Sequence, residues 1–220
     1  MFVKVCGITN QADALLAVAL GADALGFVFA PSPRQISVIQ ARRVVERLPS
    51  GVLTFGVFRD ELPARVVEAV HAVGLGGAQL HGAENREAVE YVSRRVGRVI
   101  KAVPAGKGIF NDAASFDSWA LLVDNPEPGS GKVFDWALMD GIAPGRRLIL
   151  AGGLTPANVA NAIRMVDPFG VDVSSGVEAS PGKKDPAALR AFIRNARAAA
   201  SQVPVVPEDL KIFDVEGDRS

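Results

Sequence analysis

The chain has 220 residues, 24 basic and 24 acidic side chains, and a single cysteine, Cys6. A neutral chain without a basic run gives no support for nucleic-acid binding, and one cysteine cannot form an intramolecular disulfide, which excludes a disulfide scaffold. No apolar run approaches the roughly 18 residues of a membrane span, and the start of the sequence lacks a signal-peptide pattern, so we predict a cytoplasmic protein.

Short apolar runs alternate with helical patterns along the chain. Eight runs have the character of buried strands, and each starts about 20 to 30 residues after the one before, the length of a strand-loop-helix-loop unit. Alternating strands and helices predict an α/β fold with a parallel sheet, and eight strands fit a closed barrel better than an open sheet. We therefore predict a single-domain (β/α)8 TIM barrel over residues 1–200. Its predicted strands are Val3–Ile8, Ala24–Phe29, Leu53–Phe58, Ala78–His81, Arg98–Val103, Ala120–Asp124, Leu148–Ala151 and Val171–Ser174.

Helix patterns fill the intervals between these strands. A first helix, capped by Thr9 or Asn10, is expected to run to Leu20 and stop at Gly21. The tail 201–220 contains prolines and many charges, so we predict a loosely held extension, with packing or partner contact as the alternative. The other predicted helices are Ser37–Leu48, Leu62–Val73, Glu84–Val96, Asp112–Ser118, Phe134–Met139, one that opens at Thr155-Pro156, and one from Asp185-Pro186 to Ala200.

The active site of this fold lies at the carboxyl ends of the strands, and most of the predicted strands end there in polar residues or glycines. In many such barrels the loops after strands seven and eight hold a phosphate. Here those loops contain Gly152-Gly153 and Ser174-Ser175-Gly176, which offer close backbone approach and hydroxyl and N–H donors. Either segment alone is compatible with a tight turn, but two after consecutive strands favour a phosphate site.

Cys6 and Asp124 stand at the ends of the first and sixth predicted strands. A free cysteine is usually a small buried hydrophobe, but a thiolate is a competent base, and a nearby positive charge would lower its pKa from about 8.5. An aspartate after the apolar run 120–123 is costly unless it is paired or functional, and an apolar surround keeps a carboxylic acid protonated. A cap for the next loop is the alternative for Asp124.

An arginine and a histidine also fall at the predicted rim. The guanidinium of Arg34 suits a carboxylate or a phosphate, and a solvated surface arginine is the alternative. His81 is compatible with a general base, although a structural rim histidine is the better interpretation from the residues alone. One cysteine and two histidines give no metal-binding spacing, and no nucleotide-binding glycine motif follows a strand.

Six groups of residues follow one another in order from residue 4 to about residue 185. They are Lys4-Val5-Cys6-Gly7-Ile8-Thr9; Ser32-Pro33-Arg34; Gln79-Leu80-His81-Gly82; Val123-Asp124 with Gly129-Ser130-Gly131 and Phe134-Asp135-Trp136; Gly152-Gly153-Leu154 with Asn158-Val159; and residues 170–178 with 181–185. Together they resemble the phosphoribosylanthranilate isomerase family of tryptophan biosynthesis. Pro128 is a departure, since the family often has another glycine there.

The resemblance implies an Amadori rearrangement of N-(5-phosphoribosyl)anthranilate to 1-(2-carboxyphenylamino)-1-deoxyribulose 5-phosphate. It implies that Asp124 is the general acid that opens the furanose ring and that Cys6, as thiolate, removes the proton from C2′. Arg34 would bind the anthranilate carboxylate, and the phosphate would lie on the loops after strands seven and eight. No metal or organic cofactor is implied, because the iminium nitrogen is the electron sink. The remaining residues implied in substrate binding are Gln79, His81 and Asp172.

Two alternatives stay open. The isomerase of the histidine pathway performs the same Amadori chemistry on a larger substrate with two phosphates. Its family is expected to use two aspartates, one of them at the position where this chain has Cys6. A catalytically silent barrel that binds a phosphorylated metabolite would lack the acid or the base, and both are present here. In each case the expected partner is a small molecule rather than a nucleic acid or a membrane.

Overall fold

Eight parallel strands close into a barrel in chain order, and the last strand pairs with the first. The computed structural model describes residues 1–106, 116–124 and 146–201. The closed barrel confirms the predicted fold. Its strands are Phe2–Cys6 (β1), Ala24–Val28 (β2), Leu53–Phe58 (β3), Gly77–Leu80 (β4), Val99–Pro104 (β5), Ala120–Asp124 (β6), Leu148–Leu150 (β7) and Gly170–Val173 (β8).

The described helices pack around the barrel, and most begin at the expected cap. The side chain of Asn10 accepts from the Asp13 N–H, and Ser37 forms a capping box with Gln40. None of these helices, within the described ranges, is long and apolar enough to cross a membrane. They are Gln11–Ala19 (α1), Val38–Val45 (α2), Pro63–Val73 (α3), Arg86–Ser93 (α4), Val159–Val166 (α5) and Pro186–Ala200 (α6).

The start predicted for α5 at Thr155-Pro156 is wrong by three residues. Asn158 Oδ1 accepts from the Thr155 N–H at 2.8 Å, and Asn158 Nδ2 donates to the Gly153 carbonyl at 3.0 Å. These two bonds hold residues 156–158 in a turn, and the helix begins only at Val159. The predicted helix at 134–139 lies outside the described residues. So do most of the predicted helix at 112–118 and all but the first residue of the tail 201–220.

Alternate strand residues face either the barrel interior or the surrounding helices. Val3 and Val5 of β1 belong to the large cluster between barrel and helices, so Phe2, Lys4 and Cys6 face inward. Alanines and larger apolar side chains together fill the interior of the barrel as a packed core. The inward-facing apolar residues are Ala24, Phe55, Ile100, Ala102, Ala120, Leu122, Ile149 and Ala151.

Aromatic rings fill the amino-terminal end of the barrel. The Phe2 ring lies 5.8 Å from Trp119 and 5.4 Å from Phe169, and Trp119 also stacks on Phe55 at 6.0 Å. The guanidinium of Arg147 covers the outer side of Trp119 and Phe169. Such ring contacts stabilise the end of the barrel opposite the predicted site, by about 0.5–1.5 kcal/mol per pair beyond area burial.

A small antiparallel hairpin follows β8 and ties the mouth of the barrel to α1. Its strands are Glu178–Ser180 (β9) and Lys183–Lys184 (β10). Asp13 of α1 accepts from the Lys184 N–H at 2.9 Å, and the Thr9 hydroxyl donates to the Gly182 carbonyl at 2.5 Å. The hairpin therefore lies directly beside the loop after β1.

Replacing Leu189 by alanine should lower the free energy of unfolding by about 2–5 kcal/mol, because the substitution leaves a cavity under α6, where this side chain is fully buried. Leu62→Ala is the matched control, since Leu62 is 64% exposed and its truncation should cost less than about 0.5 kcal/mol. Urea unfolding followed by circular dichroism measures both. Equal losses in the two variants would contradict this account of the core.

Candidate active site

One cavity of about 350 Å³ opens at the carboxyl ends of the strands, and every residue predicted for the site lines it. The structure therefore brings together side chains from six strand ends that are far apart in the chain. Apolar groups such as Val28 and Val57 complete the wall. The predicted residues in the lining are Cys6, Arg34, Gln79, His81, Asp124, Gly152, Gly153, Asp172, Ser174, Ser175 and Gly176.

Cys6 is the last residue of β1, and its thiol faces the cavity beside a lysine from the same strand. The missing side chain of Gly26 on β2 makes room for both groups. A Cβ built on Gly26 would lie 2.8 Å from Cys6 Sγ and 3.1 Å from Lys4 Nζ. The sulfur and the ammonium therefore share one small space, which any larger residue at position 26 would occupy.

The pKa of the Cys6 thiol is raised above its ordinary value, because its burial outweighs the ammonium groups of Lys4 and Lys184, which act to lower it. The negative charge of Asp172 adds to the increase. Positive charges do act to lower this pKa, as the sequence led us to expect, but the net shift is upward. The positive charges are present, but they only limit an effect of burial that is larger.

Lys4 is fully buried, and its Nζ donates to Asp172 Oδ1 at 3.0 Å. Burial acts to lower the pKa of this ammonium, but Asp172 and Cys6 more than compensate, and the pKa is raised. The ammonium therefore stays charged beside the thiol, whereas burial raises the pKa of its partner Asp172 despite the charge of Lys4. Asp172 was expected to meet the substrate, and the structure shows that its first partner is Lys4. The role of Lys4 was missed, although a lysine in an inward-facing position of an apolar strand is a recognisable signal.

Asp124 ends β6, and its side chain is 18% exposed at the cavity wall. Its Oδ2 lies 3.1 Å from His81 Nε2, and His81 Nδ1 lies 2.9 Å from Gln79 Nε2. The carboxyl group thus meets a polar partner at the mouth of the barrel. His81, assigned to substrate binding from the sequence, contacts the candidate acid, and Gln79, assigned to the same role, contacts His81.

Arg34 reaches the cavity from the loop after β2, and a carboxylate holds it there. Its Nε lies 2.9 Å from Glu178 Oε1, and its Nη2 lies 2.7 Å from Glu178 Oε2. Glu178 also pairs with Lys184 at 3.0 Å, and Lys184 in turn donates to the Cys6 carbonyl at 2.7 Å. Burial acts to raise the pKa of Glu178, but hydrogen bonds from Arg34 and Lys184 lower it overall. Two residues of the hairpin, whose roles the sequence did not reveal, therefore position Arg34.

The loops after β7 and β8 present backbone donors to the cavity. Gly152 and Gly153 have φ values of 81° and 73°, a conformation that L side chains rarely adopt. Ser175 and Gly176 lie in a single 3₁₀ turn, and a Cβ on Gly176 would collide with the Leu154 carbonyl. Within the described part of the chain, no group accepts a hydrogen bond from the N–H of these four residues. Such a set of donors suits an anion.

The described residues contain no group of three or more His, Cys, Asp or Glu side chains arranged to hold a metal ion. The titratable groups at the cavity are instead a thiol, two carboxyls, an imidazole and the ammonium of Lys4 beneath them. These groups can donate and accept protons at a bound molecule without a metal.

A closed parallel barrel with titratable side chains converging at its carboxyl end defines a TIM-barrel enzyme. The family model for N-(5′-phosphoribosyl)anthranilate (PRA) isomerase matches residues 3–195. The chain belongs to this family. N-(5′-phosphoribosyl)anthranilate isomerase of Desulforudis audaxviator is 48% identical over 204 residues, which are 90% of this chain and 98% of the relative.

Solved structures agree with this assignment. Phosphoribosyl anthranilate isomerase from Thermus thermophilus superposes with a TM-score of 0.84 at 44% identity, covering 90% of this chain and 99% of that one. A phosphoribosyl anthranilate isomerase in complex with reduced 1-(o-carboxyphenylamino)-1-deoxyribulose 5-phosphate has a TM-score of 0.79 at 43% identity, with the same coverage.

Two substitutions at the buried ion pair should move the pKa of the Cys6 thiol in opposite directions. Asp172→Asn removes a negative charge that raises this pKa, so the pKa should fall, whereas Lys4→Met removes a positive charge and should raise it further. The rate of alkylation by iodoacetamide as a function of pH reports the thiolate, and Cys6 is the only cysteine of the chain. Asp23→Asn, which lies just before β2 at the opposite end of the barrel, is the control and should leave the pH profile of alkylation unchanged. A shift in the same direction for both variants would contradict the assignment of these charges.

Proposed function

We propose that this isomerase converts N-(5-phosphoribosyl)anthranilate to 1-(2-carboxyphenylamino)-1-deoxyribulose 5-phosphate, an Amadori rearrangement in the biosynthesis of tryptophan. The observation that carries the proposal is the placement of the Cys6 thiol and the Asp124 carboxyl in one cavity with the donor loops after β7 and β8. The names of the relatives agree with this substrate and this product. The cytoplasmic location inferred from the sequence belongs to the same proposal.

Asp124 performs the first proton transfer. Its carboxyl group gives a proton to the furanose ring oxygen while the bond between C1′ and that oxygen breaks, and the lone pair of the anthranilate nitrogen moves into a C1′=N bond. The products of this step are a 4′-hydroxyl and a positively charged Schiff base. Asp124 is left as a carboxylate beside the His81 ring, 3.1 Å away.

Cys6 performs the second transfer as a thiolate. It takes the proton from C2′, the electrons of that C–H bond form C1′=C2′, and the iminium nitrogen becomes neutral. The raised pKa of the thiol makes the thiolate costly in the free site. The positive Schiff base offsets that cost at the moment when the base is needed. The enolamine then tautomerises: C1′ gains the proton that the Cys6 thiol gives up, and the 2′-hydroxyl loses its proton to the Asp124 carboxylate, which restores the thiolate and the carboxylic acid.

Binding groups lie on either side of this pair. The guanidinium of Arg34 binds the anthranilate carboxylate, and Glu178 holds the guanidinium in place at 2.7 Å. The N–H groups of Gly152-Gly153 and Ser174-Ser175-Gly176 bind the phosphate. This arrangement offers one anion cradle among the described residues, which supports a substrate with a single phosphate over the larger substrate of the histidine-pathway isomerase.

The test is loss of phosphoribosylanthranilate fluorescence in the presence of the purified protein, with the substrate of the histidine-pathway enzyme as a parallel assay. Cys6→Ala and Asp124→Ala should each lower kcat at least about a hundredfold, with smaller changes in KM, because each removes one proton-transfer group. Turnover of only the histidine-pathway substrate would overturn the proposal. Binding of phosphoribosylanthranilate without turnover would instead indicate a catalytically silent barrel.

Arg34→Ala should mainly raise KM, because the substitution removes a charge-assisted contact to the substrate carboxylate and leaves the acid and the base in place. Arg43→Ala, on the exposed face of α2, is the matched control and should leave KM unchanged. Steady-state kinetics of both variants measure the difference. An unchanged KM in Arg34→Ala would refute the role assigned to this arginine.

A further inference from the structure

The carboxyl end of β4 carries two polar side chains that lead to the proposed general acid. Gln79 Nε2 lies 2.9 Å from His81 Nδ1, and His81 Nε2 lies 3.1 Å from Asp124 Oδ2. Gln79 is 1% exposed and His81 is 30% exposed, so this chain of hydrogen bonds starts inside the barrel and ends at its mouth. We refer to the three side chains as the β4 relay.

The chemistry of the groups fixes the direction of these hydrogen bonds. An amide nitrogen only donates, so Gln79 Nε2 donates to His81 Nδ1, and Nδ1 is the unprotonated nitrogen of the ring. A neutral imidazole in that state carries its proton on Nε2. The ring therefore donates from Nε2 to Asp124 Oδ2.

We propose that Gln79 is a positioning residue that acts through His81: it fixes the Nε2–H tautomer, and this N–H holds Oδ2 of Asp124 while the acidic proton leaves from Oδ1. The same N–H then stabilises the carboxylate that remains after the proton has moved. The inference rests on the proposed function, because it assigns a task to the surroundings of the acid in that reaction.

The backbone on both sides of the imidazole is held firmly. The His81 N–H donates to the Phe58 carbonyl at 2.8 Å. Lys101 Nζ donates to the Gly82 carbonyl at 2.7 Å, and the Glu84 carboxylate accepts from the Gly82 N–H at 2.9 Å. Because Lys101 and Glu84 are themselves buried and paired, the backbone that carries the His81 ring is held in place next to Asp124.

The amide oxygen of Gln79 shows what this orientation costs. Its Oε1 is buried and accepts no hydrogen bond from the described residues, which is a costly state for an amide oxygen. Turning the amide over would present Oε1 to the ring, and the imidazole proton would then lie on Nδ1. His81 Nε2 would become an acceptor for the acidic proton of Asp124, and that proton would be directed away from the substrate.

The charge of the ring matters as much as its tautomer. Besides the paired Lys101 and Glu84, the charged groups near the relay include Asp172 on β8, Lys4 on β1 and Arg59 after β3. A cationic ring would carry a proton on Nδ1, the nitrogen that faces Gln79 Nε2. The donor from Gln79 opposes this, because an Nδ1 that accepts a hydrogen bond cannot carry a proton.

Nitrogen-15 NMR of the histidine-labelled native enzyme tests the tautomer directly. The chain has two histidines, and the exposed His71 can be identified with a His71→Gln variant. We expect a pyridine-type Nδ1 and a pyrrole-type Nε2 for His81 at neutral pH. A proton on Nδ1, or on both nitrogens, would overturn the inference without any assay of activity.

Two variants of Gln79 connect the tautomer with turnover. Gln79→Met removes the donor at similar volume, and Gln79→Glu replaces it with an acceptor that draws the ring proton to Nδ1. Each should abolish the native tautomer in the NMR spectrum and lower kcat about tenfold or more, with KM nearly unchanged. Gln35→Met, at the surface beside α2, is the matched control and should change neither quantity.

The outcomes separate this inference from the proposed function. Variants that keep native kcat after losing the tautomer would overturn the role of Gln79, even though the enzyme is an active isomerase. A native protein that does not turn over phosphoribosylanthranilate would overturn the proposed function and this inference together, whatever the tautomer. Melting temperatures near that of the native protein in both variants exclude loss of folding as the cause of a lower kcat.

Discussion

Closure of the barrel depends on the register between its first and last strands, and an ion pair marks that register. Lys4 of β1 lies directly opposite Asp172 of β8, and their side chains meet inside the barrel at 3.0 Å. A slip of one residue would turn Lys4 toward the helices and bury each charge without its partner, at a cost of several kcal/mol per ion. The pairing that closes the cylinder therefore also places the Cys6 thiol, two residues further along β1, at the mouth.

The electrostatics of the site follow from that arrangement. The ammonium of Lys4 interacts more strongly with Asp172 than with Cys6. The thiol is therefore buried with less positive charge than a low pKa would require. On the proposed mechanism, the missing charge arrives with the chemistry, as the iminium nitrogen formed from the substrate.

The fold and the membership of the site could be predicted because both depend on local patterns. Strand periodicity places Cys6 and Asp124 at strand ends. The rule that active sites occupy the carboxyl end of a barrel then predicts that the two residues share one site. The pairing of Lys4 could not be predicted, since its partner lies 168 residues away and the register appears only on closure. The start of α5 was misplaced because the two hydrogen bonds of Asn158 override a local capping signal. Likewise, the sequence shows a lysine close to the thiol but not how deeply both are buried.

The aromatic layer formed by Phe2, Trp119 and Phe169 at the amino-terminal end determines how molecules enter and leave the site. Because these rings fill the lower barrel, a molecule that reaches the thiol and the acid must leave by the opening through which it entered. Product and substrate therefore pass through the same opening of the barrel. On the proposed reaction, the open-chain sugar phosphate must leave before the next cyclic one can enter.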